Sequence, residues 1–163
     1  IIMGALAYAN LKASDGTTST AALGQTFEIK GATWVYAKAA AALTAGQLCY
    51  LDNSFNAALA TPALLTTTKP TYVVIPQFDF AINEYGWFAA GPFFLREDDV
   101  TTFKVISKIA AQNVVMYGVA ATPGSVDDAV AAPIIQGLFL SAAQAVNDAL
   151  TPCIATRRLA TTS

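Results

Sequence analysis

The chain has 163 residues, which suffices for one domain with a substantial apolar core. Hydrophobic residues make up 55% of the chain, whereas charged residues make up 12%, about half of their usual share. With a net charge of −2, the chain has no positive field that would attract nucleic acid or an anionic membrane. It contains no histidine, which excludes histidine-dependent catalysis and makes a zinc site unexpected. A surface so poor in charge is weakly protected against association, so we expect it to be covered in an oligomer or larger assembly.

The first part of the chain is predicted to be an extended N-terminal arm, residues 1–24, ahead of a single β domain at residues 25–163. The opening Ile1–Leu6 is apolar but lacks a basic flank, so it is not expected to be a signal peptide. The polar run Ser14–Thr20, with Gly16 inside it, has the composition of a flexible loop.

Short strands and turns are predicted from residue 26 onward. Phe27 and Ile29 alternate with polar neighbours, which is the period of a half-buried strand, and Gly31 ends it. The β-branched and aromatic run Trp34–Tyr36 begins the next strand. Ala39–Ala42 favours a helical turn by composition, although a Thr-Ala-Gly turn signal follows at once.

A β-hairpin is predicted where Gln47–Leu51 and Phe55–Thr61 flank the turn residues Asp52–Asn53. The run Tyr72–Ile75 is strongly β-forming, and Pro76 either ends this strand or places it at a sheet edge.

The densest aromatic group begins at Tyr85 and continues past a Gly-Pro turn. Trp87 and Phe88 are adjacent, so on a strand they point to opposite faces and make both faces apolar. One face can be the core, and we expect a neighbouring subunit to cover the other. The predicted subunit-interface residues are Tyr85, Trp87, Phe88, Phe93 and Phe94.

The remaining sequence predicts four further strands, at Phe103–Ile106, Val114–Val119, Ile134–Leu140 and Cys153–Leu159. Ser141–Leu150, which is rich in alanine, is the candidate for a short helix. Ala129 to Asn147 carries no charge, but it contains proline, glycine and several polar residues, so a bilayer-spanning helix is not expected. The fold class is therefore all-β, an antiparallel β-sandwich or barrel of short strands.

Motifs for chemistry are sparse, so no catalytic residue, cofactor, metal or small-molecule substrate is predicted. Ser107 and Lys108 are neighbours that would face opposite sides of a strand. The acidic groups Glu97–Asp99 and Asp127–Asp128 fit solvated turns better than calcium sites or glycosidase pairs. Cys49 and Cys153, which lie in apolar segments, are expected to be buried free thiols, with one long-range disulfide left open.

Several segments together resemble a pattern in tailed-bacteriophage virion proteins, with Tyr-Gly-Trp the sharpest motif. From about Gly24 to Thr162 the chain is similar to a small capsid decoration, or cement, protein. The segments that carry the resemblance are Gln47–Asp52, Tyr72–Gln77, Glu84–Trp87 with Gly91, Val114–Thr122 and Ile134–Leu140.

This resemblance implies a non-enzymatic β-rich trimer or dimer, with the trimer favoured, on the outside of an icosahedral head. Its partners would be the major capsid protein and further copies of itself, and it would bridge capsomers on the virion surface after assembly in the host cytoplasm. A second hypothesis is a carbohydrate-binding or adhesion module that uses exposed aromatics of the Tyr85 to Phe94 group. A third is a carboxylate enzyme such as a histidine-free glycosidase.

Overall fold

The computed structural model describes residues 11, 13–29, 31–61, 72–94, 103–108, 115–118, 122–128 and 134–161. These ranges hold eleven strands and no helix, which confirms the all-β prediction. The strands are β1 (Thr26–Ile29), β2 (Ala32–Ala39), β3 (Cys49–Leu51), β4 (Asn56–Leu59), β5 (Tyr72–Val74), β6 (Tyr85–Ala89), β7 (Lys104–Ser107), β8 (Val115–Gly118), β9 (Val126–Asp127), β10 (Ile134–Leu140) and β11 (Ala149–Thr161).

The strands form one curled sheet, a half-barrel, in the order β1-β2-β4-β3-β5-β11-β10-β8-β9-β7. Strand β6 lies on the other side of β2, and β11 also pairs with β7. Most pairings are antiparallel, but β2 with β4 and β7 with β9 are parallel. The sheet is therefore mixed rather than purely antiparallel, because each of these parallel pairs is separated in the chain by an intervening strand.

The predicted hairpin is confirmed as β3 and β4, with Leu51 opposite Ala57. Its turn is held by the Asp52 carboxylate, whose Oδ1 accepts hydrogen bonds from the backbone N–H of Ser54 at 2.8 Å and of Asn56 at 2.9 Å. Phe55 completes the turn with a φ of 59°. Aspartate stabilises such turns because its short side chain reaches the backbone two residues further on.

Two helical expectations are wrong. Ala39 ends β2 as a residue paired with Ala57 of β4, and the two residues after it form a bend rather than a helical turn. Residues 141–148 form a non-helical loop, and Leu150 already belongs to β11, where it faces Ile106 of β7. Pairing with β7 begins at Ala149, so the end of the predicted helix is a strand despite the weak helix preference of the alanines before it.

Pro76 ends a strand in the interior of the sheet and does not mark an edge. Strand β5 is paired on both sides, with β3 and with β11. Ile75 adds a single bridge to Ala89 of β6 before the chain leaves the sheet. The missing N–H of proline costs no ladder hydrogen bond at this position.

The buried residues separate into two apolar clusters. Along β2, Trp34 and Tyr36 belong to the first cluster, whereas Val35 and Ala37 belong to the second. Successive side chains of a strand point to opposite faces, so this strand contributes to an apolar layer on each side. The central part of the sheet is consequently buried on both faces by residues of this one chain.

Candidate interaction surface

The five predicted interface residues are divided between the interior and the surface. Phe88 and Phe93 are fully buried and Trp87 is 9% exposed. Tyr85 is half-buried, and Phe94 is 50% exposed. Of the five, Phe94 is the one that is exposed, with half of its surface accessible.

Both faces of β6 are apolar, as predicted, but the chain covers both by itself. On one face the Trp87 ring packs against Tyr36 at 5.1 Å and Phe27 at 5.7 Å between ring centroids. On the other face Phe88 stacks on Phe80, with centroids 4.5 Å apart and ring planes 10° from parallel. The burial of Phe88 therefore requires no neighbouring subunit. Sequence reasoning missed this because Phe80 reaches β6 through tertiary packing.

Phe93 is held inside by a bridge to β11. Its N–H donates to the carbonyl of Ala155 at 2.9 Å and its carbonyl accepts from the same residue at 2.8 Å. Its ring stacks on Phe103 at 4.4 Å. The preceding Gly91 has a φ of 78°, and a Cβ there would collide with the carbonyl oxygen of Arg157. Only glycine permits this approach, which fixes Phe93 inward and Phe94 outward.

The N-terminal segment lies against the sheet of its own chain, and we call residues 13–25 the strap. The N–H of Asp15 donates to the carbonyl of Tyr85 at 2.8 Å, and the N–H of Tyr85 donates to the carbonyl of Gly16 at 2.9 Å. These bonds add the strap to the outer edge of β6. The domain boundary at residue 24 stays a prediction, but the part of the arm within the described residues contacts the domain.

A polar cluster fixes the strap to β2. The hydroxyl of the fully buried Tyr36 donates to Oδ2 of Asp15 at 2.6 Å, and the Thr20 hydroxyl donates to the same oxygen at 2.5 Å. The backbone N–H of Thr20 donates to the Tyr36 hydroxyl at 3.0 Å. No local sequence pattern predicts this cluster, because its partners are far apart in the chain.

Ser107 and Lys108 do not form a catalytic pair. The Ser107 hydroxyl is buried and lies 2.7 Å from the Thr151 hydroxyl, which also accepts from the Gln144 amide at 2.8 Å. The Lys108 amine instead forms a salt bridge of 2.8 Å with Asp148. Each group is occupied by a different structural contact.

Of the two acidic groups, Asp127–Asp128 falls within the residues that the structure describes. Glu97–Asp99 lies outside the described residues. Asp127 belongs to strand β9 rather than to a turn, and Asp128 follows it. Within the described ranges, no three or more histidine, cysteine, aspartate or glutamate residues are grouped so that they could hold a metal ion.

Both cysteines are free and buried, which resolves the alternative left open by the sequence. Cys49 belongs to the second apolar cluster and Cys153 to the first. Burial raises the pKa of both thiols, because the thiolate form would lose its hydration. Neither sulfur has the character of a nucleophile.

Exposed apolar side chains define the remaining surface for contacts. Ile106 and Leu150 are paired across β7 and β11 and share the outward face, and we call these two residues the β7–β11 patch. Leu150 is 47% exposed, and its side chain lies over Gly46, where any Cβ would displace it. The large hydrophobic residues exposed among the described ranges are Leu23, Tyr72, Ile82, Phe94, Val146 and Leu150.

Among the described residues, the two aromatic side chains with large exposed areas, Tyr72 and Phe94, lie apart from each other. The ring of Tyr72 is covered on one side by Arg158, whose guanidinium carbon is 4.5 Å from its centroid. Phe94 belongs to a different part of the sheet surface, since it follows the bridge to Ala155 whereas Tyr72 pairs with Ala160. The rest of the Tyr85 to Phe94 group is buried or half-buried.

Comparisons with known proteins do not assign the chain to a family: no family model, no curated protein and no solved structure matches it. The described residues also contain no helix that is long and apolar enough to cross a membrane.

Proposed function

We propose that this chain is a non-enzymatic structural protein that decorates the capsid of a bacteriophage and stabilises it by bridging capsid subunits. The all-β fold and the low charge are compatible with such a role. The resemblance of the Gln47–Asp52, Tyr72–Gln77 and Glu84–Trp87 segments to virion proteins supports it.

One observation carries the proposal: among the described residues, the candidate serine–lysine pair and both thiols are used to hold the fold together. Ser107 is bound to Thr151, Lys108 to Asp148, and the thiols of Cys49 and Cys153 are buried. A protein whose polar side chains fasten its own loops, and whose sheet is buried on both faces in its central part, is suited to bear load.

The contacts with capsid subunits are proposed at the β7–β11 patch and Phe94, in place of the buried Trp87 and Phe88. Ile106 and Leu150 are held by the pairing of β7 with β11, and Phe94 directly follows the bridge between Phe93 and Ala155, so the sheet fixes the positions of all three. Exposed apolar side chains on a rigid surface are the expected core of a protein interface.

Labelling of purified virions tests the function. Gold-conjugated antibody against the chain should mark the heads, and the purified chain should bind heads assembled without it. A Leu150→Asp variant should lose this binding, whereas Ile82→Asp, at an apolar site in the β5–β6 loop that is even more exposed, should retain it. Absence of the chain from virion heads would refute the proposal.

A further inference from the structure

Arg157 and Arg158 are adjacent cations that no acidic side chain neutralises within the described part of the chain. Arg157 is exposed and Arg158 is half-buried, and both lie near the end of β11 that is remote from the β7–β11 patch. Lys108, by contrast, is neutralised by Asp148 at 2.8 Å. Two neighbouring guanidinium groups of like charge repel each other, and a carboxylate placed beside them would reverse this unfavourable interaction.

The two arginines project from a bulge in β11. Four residues of this strand, 156–159, lie opposite the single residue Gly137 of β10. Gly137 has a φ of 81°, and a Cβ there would lie 2.7 Å from Cγ of Arg157. Bulges redirect side chains away from strict alternation, and here both Thr156 and Arg157 are exposed although they are consecutive. The backbone thus presents Arg157 on the surface.

Arg158 is held over the ring of Tyr72. Its guanidinium carbon lies 4.5 Å from the ring centroid, and Tyr72 is 46% exposed. Tyr72 is fixed in turn by its pairing with Ala160, which follows Arg158 by two residues. Stacking on an aromatic ring orients the planar guanidinium group, so less conformational entropy is lost when it binds a partner.

Arg158 also has a hydrogen-bond donor that its own chain does not satisfy. Its Nε is buried and has no hydrogen-bond partner. An unpaired buried donor is unfavourable. A carboxylate that binds the edge of a guanidinium group accepts from two of its nitrogens together, so after a small side-chain movement it would satisfy this donor.

We propose that Arg157, Arg158 and the ring of Tyr72 form a binding surface for a carboxylate-bearing segment of a partner protein. Arginine and tyrosine are enriched among the residues that contribute most to protein interfaces. The two unneutralised cations select an acidic partner, whereas two cations in a chain of net charge −2 are too few to follow a nucleic-acid backbone. This inference goes beyond the proposed function, because it concerns a second surface and its partner is defined by chemistry alone.

Titration of the full chain with an oligoglutamate peptide at low salt tests the surface. Nuclear magnetic resonance reports the Nε–H signals of the arginine side chains, which are assigned with Arg157→Gln and Arg158→Gln. The signals of Arg157 and Arg158 should shift as the peptide binds. Arg158→Lys keeps the charge but lacks the planar pair of donors, so it should weaken peptide binding about tenfold.

Lys38→Gln is the matched control. Lys38 is also a half-buried cation beside a tyrosine, with its amine 5.8 Å from the ring centroid of Tyr85, so its loss changes the net charge equally at a different place. This variant should bind the peptide as the unmodified chain does. Urea unfolding shows whether each variant is folded, and Arg157→Gln, at an exposed position, should also weaken binding if Arg158→Lys does not fold.

Three results would overturn the proposal. The first is an Arg158 Nε–H signal that does not shift at any peptide concentration. The second is equal weakening of peptide binding by Lys38→Gln and by Arg158→Lys or Arg157→Gln, which would reflect net charge alone. The third is tighter binding of an oligothymidine than of the peptide, which would assign the surface to nucleic acid. None of these measurements uses virions, so their outcome is independent of the head labelling.

Discussion

The hydroxyl of Tyr36, in the middle of β2, donates a hydrogen bond of 2.6 Å to the carboxylate of Asp15, which precedes it by 21 residues. This bond joins the buried aromatic layer of the sheet to the strap, since Tyr36 also packs edge-on against Trp87. A single side chain thereby takes part in both the core and the attachment of the N-terminal segment.

Tyr36→Phe should release the strap while it leaves the core intact. The ring and its packing remain, but Asp15 loses one of its two hydroxyl donors and the N–H of Thr20 loses its acceptor. We expect the free energy of unfolding in urea to fall by about 1–2 kcal/mol. Hydrogen exchange should become faster at residues 13–20 but not in β6 at Phe88.

Tyr72→Phe is the matched control, because the Tyr72 ring is 46% exposed and lies outside the strap contacts. It should change neither the unfolding free energy measurably nor the exchange of residues 13–20. Equal exchange of the strap in the Tyr36→Phe and unmodified proteins would show that the hydroxyl does not hold it.

Trp87→Ala should destabilise the chain itself rather than an interface. The ring is packed between Phe27 and Tyr36, so its loss leaves a cavity and should lower the unfolding free energy by about 3–5 kcal/mol. Phe94→Ala, at a half-exposed site, should cost less than about 1 kcal/mol. Chemical denaturation of the unmodified chain and of the two variants measures these differences in unfolding free energy. A Trp87→Ala variant of normal stability that fails to assemble would instead place the ring at a subunit interface.

The thiols of Cys49 and Cys153 should be unreactive in the folded protein. Burial raises the pKa of both above the ordinary value of 9.0, so the reactive thiolate is absent near neutral pH. The stabilisation from keeping them protonated is complete below 9.0 and is lost as the pH rises above it, because the unfolded chain then ionises first. Iodoacetamide labelling followed by mass spectrometry should modify neither cysteine until denaturant is added, and rapid labelling of either native thiol would contradict the buried placement.

Asp52 should make the β3–β4 hairpin sensitive to acid. Partial burial opposes ionisation of its carboxyl, but hydrogen bonds from the Asn56 side chain and from the N–H groups of Asn56 and Ser54 outweigh it and lower the pKa below 3.8. A lowered pKa stabilises the fold above 3.8, and this stabilisation is lost as the pH falls through the pKa of the folded state.

Asp52→Asn provides the test, since asparagine also supports such turns but does not titrate. Urea unfolding midpoints on either side of pH 3.8 should show a smaller acid-dependent loss in this variant than in the unmodified chain. Identical acid profiles for the two proteins would mean that Asp52 does not contribute.

The local elements of this protein are determined by its sequence. Alternation at Phe27 and Ile29, the aromatic run at Trp34–Tyr36 and the turn residues at Asp52–Asn53 predict strands and a hairpin that the structure contains. These signals suffice because a strand's side-chain period and the backbone preferences of turn residues act over a few neighbouring positions. The same side-chain period makes both faces of β6 apolar, because Trp87 and Phe88 are adjacent in the sequence.

Only the tertiary structure decided what covers those faces and where the N-terminal segment lies. Phe80 covers Phe88, Phe103 covers Phe93, and Asp15 reaches Tyr36. Leu150 likewise lies in a strand because it pairs with β7, although the alanines before it favour a helix. Each outcome depends on contacts between distant segments, and the free energies of these contacts exceed the weak local preferences. A single sequence does not show the register in which strands far apart in the chain will pair.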